Sequence, residues 1–355
     1  MGLNMSEGWR RAWWPIVKAL LAAVILGAVG WQFYADLRRL DWDDLHVQPA
    51  WLMLCGLLYL VGLGFSAWFW RLLLRTFDQH PRPLAVVRAY YIGHLGKYVP
   101  GKAWALFLRG ALVQGANTRL SVAVVTAFYE VLTTMASGAL LAAVIFIVRP
   151  PVVSGLTWSP LFTGVFLLAL LAVPLFPAVF NRVVGRLAKR FEKLDAFRQP
   201  RVNARTLASG LAITALCWPL LGLSVVFMLW AVLPDAPAFS LATWAHVTAA
   251  VGLAYVAGFL AIVLPSGVGV REYVLLRLLA SEGTEALIAL TVLLLRVVWT
   301  AAELFTAGVL WWFPGPRPAL ALAEIPAEPA PASLHCQASG FPYNGPRTKD
   351  HGPPA

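Results

Sequence analysis

Charge is scarce in this chain. Of its 355 residues only 13% are Asp, Glu, Lys or Arg, 59% are apolar, and the mean hydropathy is +0.71. An ordinary soluble domain carries about 25% charged residues, and a disordered chain needs high polarity, so both classes are excluded. Acidic residues are the rarer sign, 17 against 28 basic, leaving a formal charge of +11. The excess lies between apolar stretches, without zinc-finger spacing, an RNA-binding aromatic pattern or a basic recognition helix. It points to topology and lipid headgroups and away from nucleic acid. Cysteine is nearly absent as well. Cys55 and Cys217 lie in apolar runs and Cys336 lies near the C-terminal end, which leaves no disulfide framework and no thiolate metal site.

The usual machinery of catalysis is also missing. There is no nucleophile motif, and neither paired carboxylates nor metal-ligating spacing accompanies the six scattered histidines. His94 with Lys97, or His246 with Glu272, are the only pairings that suggest proton transfer, and no motif supports either. Gly267-Val268-Gly269 does not follow a soluble strand, which argues against a nucleotide loop. No catalytic residue, metal or cofactor is expected.

What the sequence has in abundance is apolar runs of membrane-crossing length. Seven read as full spans, at about 14–34, 49–70, 120–147, 161–180, 206–230, 242–263 and 286–313. The expected fold class is an all-α polytopic membrane bundle. Arg10 and Arg11 precede the first span and Asp36, Asp41, Asp43 and Asp44 follow it, so the positive-inside rule places segment 1–11 in the cytoplasm of a multi-pass cell-membrane protein. Arg71, Arg75, Arg82 and Arg88, and then eight basic residues within 181–205, mark the same side. Trp68, Trp70, Trp311 and Trp312 read as anchors at the membrane–water interface. From Pro314 the composition turns proline-rich, and 314–355 is expected to be a disordered tail after a membrane domain spanning 12–313.

Two stretches do not read as simple spans. Residues 89–115 contain His94, Lys97, Pro100, Gly101, Lys102 and Arg109, charges that cost several kcal/mol each if exposed to hydrocarbon. A broken or re-entrant pair of half-helices avoids that cost; an interfacial loop beside an amphipathic helix is the other reading. The second stretch breaks at Pro265, Ser266, Gly267 and Gly269 and continues as a short piece with Arg271, Glu272 and Arg277. Proline removes a backbone donor and glycine relaxes the turn, so Pro100-Gly101 and Pro265-Ser266-Gly267 are the helix-break residues. Each break precedes a long span with an ionisable residue inside it. Glu130 follows Pro100 by 30 residues and Arg296 follows Pro265 by 31, which suggests an internal repeat, with coincidence as the alternative. Glu303 also lies in the last run. Broken helices expose backbone donors that favour an anion. Arg109, Arg271 and Arg296 are therefore candidate phosphate partners, with Glu130 and Glu272 as counter-charges or amine acceptors. Structural ion pairing is the competing account of the same residues.

Taken together, Tyr98-Val99-Pro100-Gly101-Lys102, Arg109, Glu130, the run from Leu264 to Glu272, and Leu295-Arg296 resemble the transmembrane flippase-like domain of lysylphosphatidylglycerol synthases, in its stand-alone form. The matching positions are Pro100, Gly101, Arg109, Glu130, Pro265, Gly267, Gly269, Glu272 and Arg296. The resemblance implies a membrane domain with re-entrant elements that handles lipid. Its bifunctional relatives continue into an aminoacyltransferase domain where this chain has its proline-rich tail, so lipid aminoacylation is not expected. The functional expectation is a lipid translocase or lipid-handling transporter for a phosphate-containing headgroup. Its expected partners are membrane lipids, anionic or polyprenyl-phosphate-linked. The alternative is a non-transporting partner or scaffold of a lipid- or glycan-modifying enzyme.

Overall fold

The computed structural model describes residues 38, 47–98, 103–115, 118–150, 160–190, 201–233, 238–261 and 267–313. The expected first span, the segment 1–11, the tail 314–355 and the break residues Pro100, Gly101, Pro265 and Ser266 lie outside them. Among the described residues there are helices and no β-strand. They are α1 (Pro49–Thr76), α2 (Pro83–His94), a 3-10 turn (Leu95–Tyr98), α3 (Ala103–Val113), α4 (Leu120–Val148), α5 (Pro160–Leu175), α6 (Pro177–Arg190), α7 (Ala204–Ala215), α8 (Cys217–Val232), α9 (Leu241–Leu260), α10 (Val270–Leu278) and α11 (Glu285–Trp312). Helices α1, α4, α9 and α11, and α7 with α8 as one unit, are each long and apolar enough to cross a bilayer. The protein is an all-α polytopic membrane bundle.

The expected span at 161–180 is not one straight helix. Its apolar stretch turns by 56° where α5 gives way to α6. Pro174 lacks an N–H and Pro177 starts a new helix, so backbone hydrogen bonding cannot run through this point. Beyond the bend, α6 buries Phe180, Val184 and Ala188 and exposes Arg182, Arg186 and Lys189. One aromatic expectation also needs correcting. Trp68, Trp311 and Trp312 are exposed, but Trp70 is fully buried and donates to Thr126 Oγ1 at 3.2 Å, because it falls on the face of α1 turned toward α4.

Polar contacts assign the elements to two ends of the bundle. At one end Asp78, just past α1, pairs with Arg201, just before α7, at 3.0 Å. Gln79 there accepts the Arg119 N–H at the start of α4, and Arg88 of α2 donates to the Leu310 carbonyl at the end of α11. This is the basic end. At the far end the Gln48 N–H meets the Ala231 carbonyl, joining the start of α1 to the end of α8, and Gly283 lies against Leu233.

Against this frame α2 and α3 form a hairpin that enters and leaves at the basic end. At 12 and 11 residues they are too short to cross. Their arms touch at glycine: a Cβ on Gly93 would lie 2.9 Å from the Arg109 backbone, and one on Gly96 would lie 2.6 Å from the Ala105 Cα. Helices α9 and α10 form a second hairpin from the far end, where His246 near the start of α9 meets the Leu278 carbonyl at the end of α10 at 2.7 Å. The span expected at 242–263 appears as α9, which is long and apolar enough to cross and packs against the returning α10. Each hairpin is followed by a long helix, α4 or α11. The two copies of the sequence pattern enter from opposite ends, the arrangement of an inverted repeat.

The second hairpin closes where Gly267, at φ +67°, lies against Gly258. A Cβ on Gly267 would sit 2.5 Å from the Gly258 carbonyl oxygen, in a backbone region that favours glycine. Gly267→Ala is therefore expected to cost about 1–3 kcal/mol. Gly308→Ala, where a Cβ meets nothing, should leave stability unchanged or slightly raised. Thermal unfolding of the two purified variants in detergent checks this, and equal melting temperatures would refute it.

Candidate functional site

Residues near the closing ends of the two hairpins, Lys97 and Tyr98 of the first and Arg271 of the second, come together in the interior, and most of the buried charge among the described residues gathers around them. On the first hairpin, Arg109 of α3 donates to Glu130 of α4 at 2.8 Å. Both are almost fully buried, at 3% and 1% exposure. Thr134 donates to Glu130 at 3.0 Å, and the Arg109 guanidinium lies 3.9 Å from the Tyr90 ring centroid. Arg109 also reaches His94 Nδ1 at 3.0 Å. Because an arginine N–H only donates, Nδ1 must accept, so His94 is neutral and carries its proton on Nε2. That nitrogen faces Glu303 Oε1 at 3.6 Å.

Glu303 of α11 receives the tip of the first hairpin. Lys97 Nζ and the Tyr59 hydroxyl both bond to its Oε1, and the Tyr98 hydroxyl donates to Oε2 at 2.9 Å. Tyr98 is also within 2.9 Å of Thr300 Oγ1. The carboxylate is 1% exposed, and each of its oxygens accepts at least one hydrogen bond.

The second hairpin supplies a matching pair with the signs exchanged. Glu272 of α10 bonds to Arg296 of α11 through Oε1 and accepts the Gly269 N–H at 2.7 Å through Oε2, which caps its own helix. Its neighbour Arg271 points elsewhere, as adjacent positions on a helix must. The Arg271 guanidinium lies 4.6 Å from the Tyr255 ring centroid and 5.8 Å from that of Trp299. Its nearest carboxylate oxygen, on Glu272, is 3.6 Å away, too long for a hydrogen bond. Among the described residues, Arg271 Nε and the Tyr255 hydroxyl are buried without a hydrogen-bond partner.

Some of these groups line a narrow crevice with a free volume of about 10 Å³, the space of roughly one water. Arg271, Arg296, Lys97 and Glu303 carry its charge, and Tyr255 and Trp299 form part of its wall. The structure thus brings Arg271 and Arg296 to the crevice and sets Glu272 behind Arg296. Arg109 and Glu130 lie one step away, behind His94. The tyrosines were not among the candidates read from the sequence, where Lys97 appeared only as a proton-transfer partner of His94 and Glu303 only as a charge inside the last run. A signal for Glu303 was present, since it follows Arg296 by seven residues, two helical turns on one face. Nothing local marked Tyr59, which is 244 residues from its partner.

Residues 15–308 match the family described as the lysylphosphatidylglycerol synthase TM region. The chain belongs to that family. The match spans nearly all of the stretch for which the sequence motifs suggested it, including both hairpins and the charged crevice. No curated protein matches the chain. The lysylphosphatidylglycerol synthase TM region is a membrane domain linked to lipid handling, and the buried cluster lies within the matched residues.

Proposed function

We propose that the protein is a lipid translocase of the cell membrane that receives a phosphate-bearing headgroup in the crevice between the two hairpins. One observation carries the reading: Arg271, nine-tenths buried, lines the crevice with its Nε unsatisfied among the described residues, beside the equally unsatisfied Tyr255 hydroxyl. A buried donor without an acceptor is costly, and a phosphate oxygen supplies one. The crevice borders the lipid-facing side of α11. Arg296 and Thr300 are half-buried there beside exposed Leu293, Val297 and Leu304. A headgroup enters sideways when the crevice widens, while its acyl chains stay in the bilayer.

Two hairpins entering from opposite ends supply the two-sided access that translocation requires, each able to close one route to the crevice. The natural cargo is a membrane lipid, anionic or polyprenyl-phosphate-linked. The N-terminal segment and the basic end face the cytoplasm. Leaflet exchange of a fluorescent anionic phospholipid in proteoliposomes tests the reading. Wild type should exceed empty vesicles, and Arg271→Gln should lower the rate at least tenfold at equal amounts of folded protein. Wild-type exchange no faster than empty vesicles would sink it and favour a scaffold of a lipid- or glycan-modifying enzyme.

A further inference from the structure

The buried charges near the crevice do not cancel. Lys97 pairs with Glu303, Arg296 with Glu272, and the more distant Arg109 with Glu130. His94 is neutral, since its Nδ1 accepts from Arg109. Among the described residues Arg271 is left over, and their charges sum to one positive. From this excess we infer that the crevice selects a lipid headgroup with one net negative charge, a phosphodiester monoanion, over both a phosphomonoester dianion and a zwitterion. The inference rests on the headgroup reading above and narrows it.

The physical reason is desolvation. In an interior of low polarity an uncompensated charge is far more costly than in water, so the ligand that brings the total to zero is favoured. A dianion leaves one negative charge in excess, and a neutral headgroup leaves Arg271 uncompensated. A zwitterion meets a second obstacle, because its ammonium needs an acceptor. It would have to share oxygens that already accept from other donors, Glu303 from Lys97 and the two tyrosines and Glu272 from Arg296 and the Gly269 N–H. The aromatic faces that would hold an ammonium, those of Tyr255 and Trp299, are within reach of the Arg271 guanidinium. The donors left over suit a phosphodiester, whose two non-bridging oxygens can take Arg271 and the Tyr255 hydroxyl.

The test is binding of short-chain lipids to the purified full-length protein in detergent, read by native mass spectrometry. The probes are dihexanoylphosphatidylglycerol (monoanion), dihexanoylphosphatidylcholine (zwitterion), dihexanoylphosphatidate, which carries a second partial charge at neutral pH, and chain-free glycerophosphoglycerol. The phosphatidylglycerol is expected to bind at least tenfold more tightly than the other three. Arg271→Gln should erase the preference. Glu303→Gln, which raises the net charge to +2, should shift it toward the phosphatidate, and Lys97→Gln, which lowers it to zero, should remove it; a folded example of either tests the charge rule. Binding that depends on Arg271 but is equal for all three lipids would overturn the charge rule and leave the headgroup site standing. Binding of every probe unaffected by Arg271→Gln would overturn both. Glycerophosphoglycerol binding as tightly as the lipid would make a free phosphodiester the ligand and overturn the lipid assignment.

Discussion

Arg109→Met is expected to lower stability by about 3–5 kcal/mol, the cost of breaking a buried ion pair from one side. Glu130 would keep the Thr134 hydroxyl at 3.0 Å and the long Tyr90 contact at 3.4 Å, but lose its only cation at 1% exposure. The methionine retains a stem to pack against Gly93, so the loss reports the charge rather than a cavity. Adding Glu130→Leu removes the orphaned carboxylate, and the double variant should recover most of the lost stability. Unfolding of the purified variants in detergent measures both steps. Single variants as stable as wild type, or a double variant no better than the singles, would remove the pair from any role in holding α3 to α4.

Glu303→Ala is expected to be equally severe, with a different signature. This carboxylate is the common acceptor for Lys97, Tyr59 and Tyr98, and through it the tip of the first hairpin is attached to α11. Its removal leaves a buried ammonium and at least one buried hydroxyl unpaired, about 3–5 kcal/mol by the same reasoning. Because the lost bonds converge on residues 95–98, amide hydrogen exchange should rise there while residues 270–278, held by the Glu272 cap, stay protected. Lys97→Met added to Glu303→Ala should restore part of the stability by removing the stranded charge. Unchanged exchange at 95–98 in Glu303→Ala would mean that the hairpin tip is held by packing alone.

Much of the membrane fold was legible because hydrophobic length is a local property. The runs at 49–70, 120–147, 206–230 and 286–313 appear as α1, α4, α7 with α8, and α11. The run at 161–180 misled, since its mean hydropathy hides what Pro174 and Pro177 do to the backbone. The run at 242–263 was apolar enough to cross, and only its contact with the returning α10 reveals a hairpin arm. The site was legible in part. Arg271, Glu272 and Arg296 drew notice because charge inside an apolar run is rare, yet their roles depend on partners far along the chain. Glu272 holds Arg296, 24 residues away, and Glu303 holds Tyr59 and Lys97, 244 and 206 residues away.

By itself the sequence determined the solvent this chain folds in and the family to which its motifs belong, since each rests on composition or spacing within a few turns. The tertiary structure alone decided that the two hairpins enter from opposite ends and that, among the described residues around the crevice, three carboxylates face four cations with Arg271 left over. Those outcomes depend on which helix faces come together across the bundle. A buried charge settles on whichever opposite charge the packing brings within reach, and packing is a property of the whole chain.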